Sequence, residues 1–233
     1  MNRFALHGFA RGPSMFAPLE QGAIPRLDLV TPWLLGHGPT PPGDPSTGWD
    51  GEVARVRALL PPVPLTLIGY SMGARLALAI ALAAPTAVTR LVLIGVQCGI
   101  SDPAERASRR GEDDTRAVRL ERHGLEAFLA EWESLPHAGG VERADRRDHR
   151  PAALAAALRV LGPGAMPDLW PRLPGLAVPA DLVVGARDPK FVSIATRATA
   201  AMPRARLHLV PDAGHDVVAD QPARVRAILE DVR

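Results

Sequence analysis

The stretch Gly69-Tyr70-Ser71-Met72-Gly73 holds a serine between two glycines in G-x-S-x-G spacing. A serine hydroxyl at neutral pH is a poor nucleophile and a poor base. It becomes useful when an imidazole takes its proton and a carboxylate orients that imidazole. Downstream, Arg187-Asp188-Pro189-Lys190-Phe191 offers a carboxylate, and Asp212-Ala213-Gly214-His215-Asp216 offers an imidazole. Where the serine sits on a strand-to-helix turn, its partners follow in the order acid, then histidine. That order selects Ser71, Asp188 and His215. Asp212 and Asp216 are rival acids, but their adjacency to His215 makes approach to its ring awkward. The bland reading is a glycine turn, a loop aspartate and a surface histidine; the elements around Ser71 decide between the two.

Those elements have the required character. Residues 64–68 are a short apolar run suited to a buried parallel strand. Residues 75–84 are rich in Ala and Leu and free of Gly and Pro, which favours helix. A strand that becomes a helix within a few residues strains the serine backbone, and Gly69 and Gly73 leave room for the close contact that results. Further strands are expected at 3–8, 26–32, 88–96, 180–186 and 205–210, and helices at 48–60, 193–202 and 222–232. This alternation predicts an α/β fold, a mostly parallel sheet with helices on both faces. Asp188 and His215 then follow strand C-termini, where open α/β sheets bind ligands. The oxyanion donors are expected to be the backbone N–H groups of Met72 and of Phe9, in the loop after the first strand. His7 is read as a buttress of that loop and His37 as turn structure.

Composition excludes several classes. The chain of 233 residues suits one sizeable domain, 1–233. A net charge of +2 gives no nucleic-acid footprint. Lys190 is the only lysine, and Cys98, the only cysteine, reads as a small buried apolar residue. The N-terminus shows no signal-peptide core and no stretch is long enough to span a bilayer, so a soluble, cytoplasmic protein without membrane contact is expected. Metal spacings such as H-E-x-x-H or paired C-x-x-C are absent, and no metal or organic cofactor is called for. Between residues 98 and 174 the character changes to Arg- and Glu-rich helical stretches, read as a cap inserted over the serine edge of the sheet, many of its charges being solvated ion pairs.

The set LHGF, GHG, GYSMGARLAL, GARDPKF and AGH resembles the α/β-hydrolase fold along almost the whole chain. Further pieces resemble one branch, the menaquinone-pathway lyases that eliminate pyruvate to give 2-succinyl-6-hydroxy-2,4-cyclohexadiene-1-carboxylate. The resemblance implies substrate-binding roles for Arg75 in SMGAR, Arg106 in ERASRR, Trp132 in FLAEW, Arg146, and Lys190 two places after Asp188. It also implies that Tyr70 and Gln97 line the pocket. Departures are Glu133 where some members carry an aromatic residue, and the turn Gly162-Pro163-Gly164 with proline for a small polar residue. Clustered cations near Ser71 suit a small polycarboxylate substrate, because burying an unpaired guanidinium is unfavourable and arginine forks hold carboxylates bidentately. The expected activity is pyruvate elimination with Ser71 as a base. The alternatives are a serine carboxylesterase or carbon–carbon bond hydrolase working through an acyl-enzyme, and a non-catalytic binding member of the fold.

Overall fold

Six strands form one parallel sheet in the order β2-β1-β3-β4-β5-β6 in a computed structural model that describes residues 2–21, 26–39, 43–134 and 143–231. In chain order the elements are β1 (Arg3–Leu6), β2 (Leu29–Val30), α1 (Gly48–Ala58), β3 (Leu65–Tyr70), α2 (Met72–Ala83), β4 (Val88–Ile94), α3 (Pro103–Glu133), α4 (Arg143–Asp148), α5 (Pro151–Leu161), β5 (Ala180–Gly185), α6 (Pro189–Ala201), β6 (Ala205–Val210), α7 (Val217–Asp220) and α8 (Pro222–Glu230). The expected strand at 26–32 shrinks to the two residues of β2, an edge element. Helix α6 begins four residues before its expected start, because the Asp188 carboxylate caps it and Pro189 suits a first helical position. The one-turn α7 was not expected. No helix among the described residues is long and apolar enough to cross a membrane.

Strand β3 is buried at every position. Its alternating side chains divide the core: Leu65 and Leu67 join one cluster with α2, whereas Ile68 and Tyr70 join a second with Val217 of α7 and Val225 of α8. Between β4 and β5 the chain is helical. There α3, broken at Gly124 by a backbone φ of +79°, packs on α5. Leu120, Phe128 and Leu129 of α3 meet Leu154 and Leu158 of α5 and also Ala10, so these helices rest on the loop that follows β1. Residues 135–142 of the expected insert lie outside the described residues.

Candidate active site

Ser71 sits between β3 and α2 with φ 51° and ψ −106°, a left-handed conformation that a residue with a side chain adopts only under constraint. The constraint is close packing of strand and helix. A Cβ at Gly73 would stand 2.1 Å from the Leu6 carbonyl oxygen, and one at Gly69 would stand 2.5 Å from the Ala74 Cα. The Ser71 Oγ lies 3.2 Å from His215 Nε2, and His215 Nδ1 lies 2.9 Å from Asp188 Oδ2. A carboxylate accepts only, so Nδ1 carries the proton and the neutral ring presents Nε2 as acceptor toward the serine hydroxyl. Asp188 Oδ1 accepts from the Phe191 N–H, which fixes the carboxylate at the start of α6. Asp216 instead pairs with Arg11 at 3.1 Å, both buried.

Gly95 was not singled out from the sequence, yet it shapes this constellation. Its φ is +61°, and a Cβ there would fall 2.8 Å from His215 Cε1. Gly95→Ala is therefore expected to push the ring off Ser71 and lower kcat by on the order of tenfold or more, as small misplacements of reacting groups do. KM should change little. Steady-state kinetics that show an unaltered kcat would mean the ring has slack at this position.

Phe9 lies past the end of β1, whose pairing with β3 stops at Leu6–Gly69, and Met72 opens α2. Three buried histidines hold the Phe9 loop. His7 donates from Nδ1 to the Gly8 carbonyl and accepts from the Leu34 N–H at Nε2. His37 donates from Nδ1 to the Leu35 carbonyl and accepts from the Ala10 N–H at Nε2. His149 donates from Nε2 to the Ala10 carbonyl and accepts from the Gly38 N–H at Nδ1. The Gly12 N–H donates to Asp145 of α4 at 2.8 Å. Each ring thus needs one bare nitrogen, and burial presses the same way. It lowers His7 to about 3, His37 well below its ordinary value, and His149 less steeply.

A pH dependence of stability follows. Below pH 6.5 the unfolded chain takes up protons that the folded chain refuses, so stability falls with pH. Going from pH 7 to pH 5, His7 alone is expected to remove about 2 kcal/mol, with further losses from His37 and His149. Carboxylates contribute little in that window because they titrate near pH 4 when unfolded. Urea titrations at the two pH values check this; unchanged stability would show that the rings accept protons in place.

A cavity of about 70 Å³ opens beside Ser71, bounded by Arg75, Gln97, Arg109, Asp113, Trp132 and Lys190 among others. It shares Gln97, Arg109 and Lys190 with a neighbouring groove of about 540 Å³. Arg75 is buried, bonds the Leu161 carbonyl at 2.5 Å and lies 5.9 Å from the Trp49 ring. Burial, with Arg109 adding repulsion and Asp113 opposing it, brings its pKa down to about 9, so an anion in the cavity relieves it. Trp132 stacks on Phe128 and tilts against Phe9, and its buried Nε1 has no partner among the described residues.

Three expected pocket residues lie elsewhere. Arg106 faces an outer groove with Arg110 and Arg159, its Nε reaching toward the Gly164 carbonyl at 3.4 Å. Arg109, about one turn further along α3, takes the cavity wall in its place. Arg146 is outside the cavity lining and paired with Glu133 and Glu126. Tyr70 points to the opposite face of the sheet from Leu67, buried beneath the turn with its ring 5.5 Å from His215. Cys98 is buried and its thiol is pushed up to about 12, which leaves it unreactive.

Residues 4–228 match the model of the alpha/beta hydrolase family. The chain belongs to that family. Within it, the chain is 33% identical to a protein of Bacillus subtilis (strain 168) described as a putative 2-succinyl-6-hydroxy-2,4-cyclohexadiene-1-carboxylate synthase, over 93% of this chain and 84% of that one. The structure of MenH from S. aureus superposes with a TM-score of 0.89 at 29% identity, covering 98% of this chain and 91% of that one. A thermophilic esterase from Thermogutta terrifontis shares the fold, with a TM-score of 0.78 at 21% identity over 99% of this chain and 88% of the other. The family and its fold are thus held in common by synthases and esterases.

Proposed function

We propose that this chain eliminates pyruvate from a polycarboxylate cyclohexene, giving 2-succinyl-6-hydroxy-2,4-cyclohexadiene-1-carboxylate. The observation that carries the reading is the cationic wall: Arg75, Arg109 and Lys190 border the cavity that Ser71 opens into. A neutral ester needs no such wall, whereas ligand carboxylates would each gain charge-assisted hydrogen bonds of roughly 1.5–3 kcal/mol. The product named for the Bacillus subtilis relative carries two carboxylates, one on the ring and one on the succinyl arm.

In the proposed reaction Ser71 acts as a base while its own proton passes to His215 Nε2, and Asp188 stabilises the resulting imidazolium. The serine oxygen takes a ring C–H proton. The electron pair left behind forms the new ring double bond, and the carbon–oxygen bond to the enolpyruvyl group breaks. That group leaves as the pyruvate enolate and is protonated to pyruvate. The Phe9 and Met72 N–H groups, with Arg75 and Arg109, would hold the charge that develops. Gln97, Trp132 and Lys190 would fix the substrate, and residues 98–174 would serve as a cap on a single 1–233 domain.

Pyruvate release coupled to lactate dehydrogenase and NADH tests the reading: turnover in the wild type that vanishes in Ser71→Ala is expected, and no release would refute it. The second reading, an esterase or carbon–carbon bond hydrolase, draws on the same serine–histidine geometry and the shared fold. Rapid-quench mass spectrometry separates the chemistries. A base leaves Ser71 unmodified during turnover, and a nucleophile accumulates an acyl adduct.

A further inference from the structure

Asp113 stands out in a cavity otherwise lined by cations. It lies one turn beyond Arg109 on α3 and is 2% exposed. Its Oδ1 accepts from Arg109 Nε at 3.1 Å and from Arg116 Nη1 at 3.2 Å. Its Oδ2 is buried and has no hydrogen-bond partner among the described residues. A buried carboxylate oxygen left bare is unfavourable and calls for a donor. The space it faces is kept open by Gly162, where a Cβ would come within 2.4 Å of Oδ2. Gly162 also borders the cavity, which gives the first glycine of the Gly162-Pro163-Gly164 turn a role that its sequence did not disclose.

The cavity's cations can recognise carboxylates, but a ligand with carboxylates alone has no proton to give Oδ2. We infer that Asp113 Oδ2 accepts a hydrogen bond from a substrate hydroxyl, so that the site selects a hydroxylated polycarboxylate. This rests on the polycarboxylate reading above and extends it to a second functional group. The hydroxyl must lie beside a carboxylate. Arg109 spends its Nε on Asp113 Oδ1, and its terminal nitrogens, which have no partner among the described residues, remain to hold the ligand carboxylate next to Oδ2. A β-hydroxy acid on a ring meets both demands at once. Asp113 thereby serves as a binding residue that reads the hydroxyl, in addition to orienting Arg109.

Two acids that differ by one hydroxyl test this: 2-hydroxycyclohexane-1-carboxylate, as its separate stereoisomers, and cyclohexane-1-carboxylate. Their dissociation constants are measured by NMR titration against the wild-type protein and against Asp113→Asn, which keeps an oxygen for Arg109 and Arg116 but replaces Oδ2 by an amide. The wild type is expected to prefer one hydroxylated isomer by tenfold or more. In Asp113→Asn that preference should fall below threefold, while the plain acid binds within twofold of its wild-type value. Equal wild-type affinity for the plain acid and every hydroxylated isomer would overturn the assignment and leave the polycarboxylate reading standing. So would an Asp113→Asn variant that weakens all the acids in equal proportion, since that is the effect of a residue that only positions Arg109. Should none of the acids bind the wild type, both readings fall. The wild-type comparison stands by itself if the variant does not fold.

Discussion

Ser71→Ala is expected to lower kcat/KM for pyruvate elimination by on the order of a thousandfold or more, and His215→Ala by a similar factor, because the two act as one proton-transfer unit. The double variant should be scarcely worse than either single one. Asp188→Asn should also lose most activity, because an amide need not accept the Nδ1 proton and the opposite tautomer removes the acceptor from Nε2, which stands 3.2 Å from the serine oxygen. These substitutions are expected to leave the fold intact, since the Ser71 backbone strain is imposed by Gly69 and Gly73 and not by its hydroxyl. Far-UV circular dichroism alongside the kinetics checks that the loss is chemical. An Asp188→Asn variant with near-normal turnover would move the acid to another residue. Asp216 is a poor substitute, because it is engaged by Arg11.

The second large effect concerns the cations. Arg75→Ala and Arg109→Ala should each reduce kcat/KM for the polycarboxylate by roughly tenfold to a hundredfold, at ~1.4 kcal/mol per factor of ten. Weak hydrolysis of p-nitrophenyl acetate should be almost untouched, since that ester offers no carboxylate to hold. Arg106→Ala is the informative control. It faces the outer groove, away from the cavity, and its removal should alter neither activity by more than about twofold, as for most surface substitutions. If Arg106→Ala were the damaging change and Arg109→Ala the silent one, the placement of α3 over the cavity would be wrong.

The contrast between Arg106 and Arg109 shows where sequence reading reaches its limit. The elbow was legible because strand, serine and helix are contiguous, and local sterics force the outcome. Ser71, Asp188 and His215 were legible because chain order in such a sheet restricts where an acid and a histidine can emerge. Along α3, by contrast, Arg106, Arg109 and Arg110 recur at near-helical spacing, and helix periodicity does not say which row faces inward. That rotation is decided by tertiary packing, as Asp113 lodges against Gly162 and Leu120 enters the cluster with α5. Tyr70 is a different case. Period-two alternation places it on the same face as Ile68, a signal that outranks its adjacency to Ser71. The three histidines that clasp the Phe9 loop come from positions 7, 37 and 149, and no local spacing joins them. Gly95 likewise gained meaning only when β4 was laid beside the loop that carries His215.

The central claim is that Ser71 serves elimination from a polycarboxylate and not ester hydrolysis. Its most direct test compares, in one preparation, kcat/KM for pyruvate release from the polycarboxylate cyclohexene with kcat/KM for p-nitrophenyl acetate hydrolysis, using Ser71→Ala as the blank. The cationic cavity predicts that pyruvate release is faster by about a thousandfold or more, a difference of ~4 kcal/mol in transition-state stabilisation. Ester hydrolysis that outpaces pyruvate release, with the latter no greater in the wild type than in Ser71→Ala, would contradict it.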